Sequence, residues 1–314
     1  MSEKRSVLIV DKMHENILSL LPNIGFEVNY QPELKREGIL KQIHEYDGLV
    51  IRSKTTVDKE LIDAGVRLKF VARAGAGLDQ LDHSYLVSKG IQIINAPEGN
   101  RDAVGEHALG LLLSVSNKIA RANTEVKNFK WDRESNRGFE IKGKTVGVFG
   151  FGNTGQSFAR KLTGFDCSIL AYDKYKAEFG NDIIEEVDLS DFKSRVEILS
   201  VHVPLTEETK HLFDSSELAE YKNLKVLINT SRGEVLVTDS LIDLLDAGKL
   251  MGAGLDVLEN EKLASLNESE IKSFSKLSSF ENVVLTPHVA GWTYESYERI
   301  GEVIADKIAK LDLD

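Results

Sequence analysis

The sequence predicts an α/β protein of two domains, each built around a parallel sheet. Along most of its 314 residues, short apolar segments alternate with amphipathic ones. This alternation is typical of strands joined by crossover helices. It is interrupted once, after Arg101, by a long proline-free segment with helical spacing. The length suits two domains of ordinary size.

The first hundred residues contain five segments with strand character. Helical patterns lie between them at 35–46 and 79–90. Strands that alternate with helices in this way favour a small flavodoxin-like domain. The predicted strands are 6–11, 26–31, 48–53, 69–75 and 91–97.

The rest of the sequence begins with residues 101–129, which are predicted to form one long helix crossing between the domains. Six predicted strands follow, the number in a complete dinucleotide-binding sheet of the Rossmann type. Residues 294–313 are predicted to form a closing helix, and the Ser/Lys-rich stretch 262–279 a surface excursion. The six strands are 145–150, 168–173, 196–203, 225–231, 252–257 and 282–288.

The composition disfavours several classes of protein. With 39 basic and 50 acidic residues, the formal charge is −11, which disfavours nucleic acid and anionic membranes as partners. No segment approaches the apolar length of a membrane helix, and no signal-peptide core is present. Cys167 is the only cysteine, so no intrachain disulfide and no cysteine-rich metal site is expected. These features together predict a cytoplasmic protein.

A glycine-rich loop follows the first strand of the second series. Gly150, Gly152 and Gly155 form a G-x-G-x-x-G pattern between a β-branched strand and a helix, the context in which this pattern indicates dinucleotide binding. Asp173 lies 18 residues after Gly155, at the end of the next strand. A carboxylate there accepts hydrogen bonds from the ribose hydroxyls and repels the 2′-phosphate of NADP, so the predicted cofactor is NAD.

Three polar side chains follow strand ends of the same sheet, where ligands bind in open α/β folds. Arg232 suits a substrate carboxylate, His288 suits proton transfer, and Glu261 suits orientation of the imidazole. Taken singly, each has an ordinary structural alternative. Their occurrence together behind a nucleotide-binding loop predicts hydride transfer between NAD and a 2-hydroxy acid.

With these motifs, GFGNTG, NTSRGE and TPHVAG, the sequence resembles the D-isomer-specific 2-hydroxyacid dehydrogenase family over nearly its whole length. The resemblance implies Arg232, Glu261 and His288 as the catalytic residues. It also implies a substrate-binding domain made from both chain ends, 1–98 plus 291–314, with the NAD-binding domain, 99–290, inserted between them. Homodimers formed through the NAD-binding domain are usual in the family. Further cofactor contacts are expected from Asn153, Thr154, Val203, Pro204, Thr230, Ser231, Asp256 (to the nicotinamide carboxamide) and Gly291.

Within the family, the N-terminal half is most similar to the phosphoglycerate dehydrogenases. Arg52 and Arg73 each follow a strand and are expected to bind a phosphate at the far end of the substrate. The alternative is that they pair with acids at the sheet edge. The expected activity is oxidation of 3-phosphoglycerate in serine biosynthesis, without the C-terminal regulatory domain of longer members. The remaining expected substrate contacts are Ala74, Gly75 and Asn100.

Some questions stay open at this level. Lys262 stands where the family has proline, and the segment up to His288 is longer than usual, so the choice between Glu259 and Glu261 is open. The rival substrates are glyoxylate, hydroxypyruvate or another unphosphorylated 2-oxo acid. A rival of another class is an NAD(H)-sensing interaction protein on the same fold.

Overall fold

The computed structural model describes residues 5–313. The protein is α/β and divides into two compact units, Met1–Arg101 with Trp292–Asp314 (unit 1) and Asp102–Gly291 (unit 2). In the sequence, unit 2 is thus one continuous segment, and segments of unit 1 precede and follow it. The binding roles expected for the two domains stay predictions.

Unit 1 contains a five-stranded parallel sheet in the order β2-β1-β3-β4-β5, the flavodoxin-like order. Its strands are β1 (Arg5–Ile9), β2 (Phe26–Tyr30), β3 (Gly48–Ile51), β4 (Phe70–Arg73) and β5 (Gln92–Asn95). Its helices are α1 (Ile17–Asn23), α2 (Arg36–Gln42), α3 (Lys59–Ala64), α4 (His83–Ser88) and α12 (Tyr294–Ile308).

Both faces of this sheet are buried, because successive residues of a strand point to opposite sides. Val7 and Ile9 pack in one apolar cluster with Ile300 and Ile304 of α12. Leu8 packs in a second cluster with side chains of α2 and α3. The C-terminal helix therefore belongs to the core of the N-terminal sheet.

Unit 2 contains a seven-stranded parallel sheet in the order β12-β11-β10-β9-β6-β7-β8, the Rossmann order with one further strand at the β12 edge. Its strands are β6 (Thr145–Phe149), β7 (Ser168–Tyr172), β8 (Ile184–Glu186), β9 (Ile198–Val201), β10 (Val226–Asn229), β11 (Gly252–Leu255) and β12 (Val283–Leu285). Its helices are α6 (Ile119–Lys127), α7 (Asn153–Lys161), α8 (Leu189–Arg195), α9 (Ser215–Ala219), α10 (Thr238–Asp246) and α11 (Glu268–Ser278), and α5 (Pro97–Ser116) spans the boundary between the units. Short 3-10 turns occur at Ile43–Glu45, Leu162–Gly164, Gly233–Val235 and Leu263–Ser265.

The helix predicted over 101–129 is interrupted, so that prediction was wrong. Lys118 has a φ of 52° between α5 and α6. The amide of Phe139 donates to the carbonyl of Ser116 at 3.0 Å, so a distant segment takes up an acceptor at the last turn of α5. Gly138 also lies so close that a β-carbon there would be 2.3 Å from the Ser116 oxygen.

One other expectation needs correction. The sheet of unit 2 has a seventh strand, β8, which sequence reasoning missed because only Ile184 in its three residues is buried. The stretch expected to be a surface excursion, 262–279, does lie at the surface with only Leu277 buried, and it contains α11, which begins with a capping box of Asn267 and Glu270. Within residues 5–313, no helix is long and apolar enough to cross a membrane.

Candidate active site

The glycine loop of unit 2 has the geometry that a bound pyrophosphate requires. Gly150 has a φ of 94°, and a β-carbon there would lie 2.8 Å from the carbonyl oxygen of His202 and from Val203. A β-carbon on Gly155 would lie 2.1 Å from the Gly150 oxygen, so α7 packs directly on the loop. A β-carbon on Gly152 would meet no atom of residues 5–313 within 4 Å, which leaves room for a ligand against the backbone.

Other groups of unit 2 also fit NAD. In the part of the chain that the structure describes, no side chain caps the N-terminus of α7, where Asn153 and Thr154 stand, so its amides are available to phosphate oxygens. The hydroxyl oxygen of Thr230 is buried and has no hydrogen-bond partner among the described residues. An orphaned buried hydroxyl of this kind is costly unless a ligand satisfies it.

Asp173 follows β7 and faces the glycine loop. Its Oδ2 accepts the amide of Phe151 at 2.8 Å, and its Oδ1 accepts those of Tyr175 and Lys176 at 2.9 and 3.1 Å. Since each carboxylate oxygen can accept two hydrogen bonds, Oδ2 retains capacity for one more. The carboxylate is therefore fixed in place and can still accept from a ribose hydroxyl.

The carboxyl ends of β10, β11 and β12 lie side by side at one edge of the sheet. Arg232 follows β10 in a turn held by Asn229, whose Oδ1 accepts from both the amide and the hydroxyl of Ser231. The guanidinium donates to the Ser231 carbonyl at 2.7 Å. A β-carbon on Gly233 would lie 1.9 Å from the oxygen of Leu258, so this turn packs against the segment after β11.

His288 contacts Glu261 and not Glu259. The Nδ1 atom of His288 lies 2.9 and 3.0 Å from the two carboxylate oxygens of Glu261. Glu259 instead accepts the amide of Thr238 at 2.7 Å and lies 3.3 Å from His211. Because a carboxylate can only accept, Nδ1 carries the proton and Nε2 is left for a substrate oxygen.

Asp256 anchors the loop that carries His288. Its buried carboxylate accepts the hydroxyl of Thr286 at 2.6 Å and the amides of Val289 and Ala290 at 2.9 and 2.8 Å. Its carbonyl accepts the amide of His288 at 2.8 Å. His288 has a φ of 53°, a left-handed conformation that costs a non-glycine residue about 1–2 kcal/mol. These bonds offset that cost and fix the direction of the imidazole.

His107 of α5 extends this network, and sequence reasoning missed it. Its Nε2 lies 2.9 Å from the hydroxyl oxygen of Thr286 and 3.4 Å from Oδ1 of Asp256. Since the hydroxyl proton of Thr286 goes to Asp256, Nε2 of His107 is the donor. A polar residue inside the apolar pattern of α5 was the available sequence signal.

In unit 1, Arg52 has an unusual environment. Its guanidinium carbon lies 3.7 Å from the ring centroid of Trp292 and 5.4 Å from that of Tyr297. Among residues 5–313, none supplies a hydrogen-bond acceptor or an ion-pair partner to this guanidinium. Burial lowers its pKa, and the attraction of Asp11 opposes this only in part. The sequence prediction named Arg52 but not Trp292.

Arg73 lies next to Arg52, as its Nε donates to the Arg52 carbonyl at 3.0 Å. A β-carbon on Gly75, whose φ is 144°, would lie 1.8 Å from Nη1 of Arg73, so only glycine leaves room for this guanidinium. Ala74 is buried. The Oδ1 atom of Asn100 is buried without a hydrogen-bond partner among the described residues.

Comparison with known proteins identifies the family. The model described as "D-isomer specific 2-hydroxyacid dehydrogenase, NAD binding domain" matches residues 109–290. The chain belongs to the D-isomer-specific 2-hydroxyacid dehydrogenase family. It is therefore an NAD-dependent oxidoreductase that acts on CH–OH groups, and its cofactor is NAD.

Its relatives in this dehydrogenase family act on different acids. The chain is 40% identical to a hydroxypyruvate reductase of Thermotoga maritima over 88% of each chain. It is 33% identical to a D-3-phosphoglycerate dehydrogenase of Archaeoglobus fulgidus over 97% of its own length and 57% of that protein's. A solved NADPH-dependent glyoxylate/hydroxypyruvate reductase of Sinorhizobium meliloti is similar with a TM-score of 0.79 and 28% identity, over 98% of this chain and 93% of that one.

Proposed function

We propose that this dehydrogenase interconverts D-3-phosphoglycerate and 3-phosphohydroxypyruvate with NAD, the first step of serine synthesis, in the cytoplasm. The observation that carries the proposal is the half-buried guanidinium of Arg52, which no described residue pairs. A guanidinium in this state gains most from a bound anion. Arg73, bonded to the Arg52 backbone, supplies a second cation for the same phosphate.

The proton transfer belongs to His288. NAD, when bound, accepts or returns the hydride at the substrate's C2 carbon. In oxidation, Nε2 of His288 takes the proton of the 2-hydroxyl, and in reduction it returns a proton to the carbonyl oxygen. Glu261 holds Nδ1, across the ring from Nε2, at 2.9 Å, which fixes the tautomer and the direction of the imidazole.

Arg232 supplies the cation for the substrate carboxylate. The planar guanidinium matches a carboxylate through paired hydrogen bonds. Its turn is fixed by the bonds of Asn229 and by close packing at Gly233. A rigid turn limits the freedom that this side chain loses on binding and orients C2 for reaction.

The test is a panel of acids assayed with NAD(H): 3-phosphoglycerate in oxidation, and hydroxypyruvate and glyoxylate in reduction. The native chain is expected to prefer the phosphorylated acid, and Arg52→Met to raise its KM at least tenfold while sparing glyoxylate. Arg67→Met is the matched control, because Arg67 is an exposed arginine of unit 1 paired with Asp47 at 3.3 Å. No turnover of 3-phosphoglycerate, or equal effects of Arg52→Met on both acids, would overturn the proposal.

The second candidate is reduction of hydroxypyruvate or glyoxylate, which the 40% identity to the Thermotoga reductase favours. It predicts rapid turnover of the unphosphorylated acids and little effect of Arg52→Met on any of them. Tight NADH binding without turnover of any acid would instead indicate a sensing protein. The same panel, combined with a measurement of NADH binding, therefore separates these three functions.

We further propose that the chain forms a homodimer through unit 2. Phe129 is fully exposed and Trp131 is 80% exposed, and Ile119 and Val126 of α6 are exposed beside them in the sequence. A group of exposed aromatic and aliphatic side chains such as this one favours a protein–protein interface. Light scattering is expected to give a dimer mass for the native chain and a monomer mass for Phe129→Glu/Trp131→Glu. A native monomer, or a variant that stays dimeric, contradicts this; Val66→Glu, at an exposed site of unit 1, is the control.

A further inference from the structure

We infer that Trp292 is a specificity-determining residue: its indole holds the guanidinium of Arg52 in position for an anionic group at the far end of the substrate. The inference deepens the proposed function and rests on its assignment of Arg52. It adds that selection of a phosphorylated acid depends on an aromatic surface made by Trp292 and Tyr297, which we call the indole shelf.

The geometry leaves the binding edge of Arg52 available. The guanidinium carbon lies 3.7 Å above the Trp292 ring, so its flat face is in contact with the indole. The N–H groups of a guanidinium point outward in its plane, and stacking does not use them. Trp292 therefore restricts the direction of the guanidinium and leaves its hydrogen-bond donors for a ligand.

The shelf is fixed before any ligand arrives. The rings of Trp292 and Tyr297 lie 5.1 Å apart at 59°, and His14 packs edge-on against Tyr297 at 5.7 Å. The next residue, Thr293, begins α12 with a capping box, in which its side chain accepts the amide of Ser296 at 3.1 Å. Because both its ring and its adjoining backbone are held, the indole loses little entropy when it positions Arg52.

The charges around the shelf favour an anion over a neutral group. Asp11 attracts the Arg52 guanidinium, and its carboxylate oxygens already accept the amides of Arg52 and Lys54 and the hydroxyl of Thr55. Burial disfavours the charged guanidinium, so its pKa is lowered. A bound phosphate offsets the cost of burying this charge. Glyoxylate carries only a hydrogen at the corresponding end and cannot offset it.

The first experiment uses fluorescence. The chain has two tryptophans, so Trp131→Phe leaves Trp292 as the only indole reporter. Titration of this variant with inorganic phosphate, and separately with 3-phosphoglycerate, without NAD, is expected to change the emission saturably. The additional change Arg52→Met is expected to abolish the response. An unchanged emission, or a response that survives the loss of Arg52, would overturn the inference.

The second experiment uses kinetics of the full chain. Trp292→Leu is expected to raise the KM for 3-phosphoglycerate on the order of tenfold, with kcat and the KM for glyoxylate within about twofold. Trp292→Phe, which keeps an aromatic face, is expected to recover most of the loss and serves also if the leucine variant does not fold. Tyr294→Leu removes an exposed aromatic two residues after Trp292, at the start of α12, and is the control.

These results separate the two proposals. An unchanged KM for 3-phosphoglycerate in Trp292→Leu would exclude the role of Trp292 while leaving the proposed function intact. A native chain that does not turn over 3-phosphoglycerate, but whose Trp292 emission responds to phosphate through Arg52, would exclude the proposed function and support the shelf as an anion site.

Discussion

Replacement of Asp256 by asparagine tests how His288, the proposed proton-transfer residue, is held. The side chain keeps its size but loses its charge and one acceptor. In the native chain, Oδ1 accepts from Thr286 and Val289, and Oδ2 accepts from Ala290. An asparagine can keep the Oδ1 pair, but its amide nitrogen then faces the Ala290 amide, donor against donor.

The expected loss of stability follows from this count. One charge-assisted hydrogen bond disappears, and the buried Ala290 amide is left without an acceptor. Bonds to a charged group contribute about 1.5–3 kcal/mol, and an unsatisfied buried donor costs about 1–3 kcal/mol. The lost bond and the unsatisfied amide belong to the same Ala290–Asp256 contact, so the two costs are not fully additive. We therefore expect the free energy of unfolding to fall by about 2–4 kcal/mol. The left-handed backbone of His288 is then held less firmly, and kcat is expected to fall at least tenfold.

Urea unfolding measures the stability, steady-state kinetics measure kcat, and a titration measures NADH binding. Thr286→Val is the graded companion, since it removes both bonds of the hydroxyl, to Asp256 and from His107, and keeps both loop amides, with an expected loss of about 1–3 kcal/mol. If Asp256→Asn leaves stability within about 0.5 kcal/mol, or weakens NADH binding strongly without loss of kcat, the anchoring role is wrong. The latter result would favour the nicotinamide contact expected from the family.

Three further outcomes are expected. Glu261→Gln should lower kcat by about 10- to 100-fold, less than the roughly 10²–10⁴-fold of general acid–base catalysis itself because Glu261 only orients the imidazole, while Glu259→Gln should leave kcat unchanged; the opposite ranking would reassign the partner of His288. Asp173→Ala should relax the preference for NAD over NADP, and an unchanged ratio of kcat/KM values would count against its role. Burial lowers the pKa of His202 to about 3, so the unfolded chain binds its proton first as pH falls below about 6.5. Stability is therefore present above that pH and lost toward pH 3, by about 2 kcal/mol at pH 5; His202→Phe should flatten this slope in urea unfolding, and an unchanged slope would assign it elsewhere.

Local patterns predicted much of the fold. The five strands of unit 1 were found because each is a short apolar run bounded by polar residues, and burial on both faces of a parallel sheet produces such runs. The glycine loop was predicted because its backbone geometry restricts which residues can occupy it. The backbone conformation of Gly150 and the close approach at Gly155 each tolerate few other residues, so the requirement is visible in the sequence.

The errors arose where a distant segment decided the structure. The break at Lys118 coincides with a hydrogen bond from Phe139 to Ser116, which the helical periodicity around 118 does not reveal. Strand β8 is stabilised by backbone pairing with β7, and backbone pairing leaves little trace in three residues of sequence.

By itself, the sequence determined the α/β class and the glycine loop and predicted which groups react, because local spacing and side-chain chemistry are sufficient for these. Only the tertiary structure decided that Glu261 faces His288, that Asp256 holds the loop of His288, and that Trp292 lies under Arg52. Each of these is a contact between residues more than 25 positions apart. Such contacts depend on which strand ends and helix ends the packed core brings together, and no local pattern encodes that.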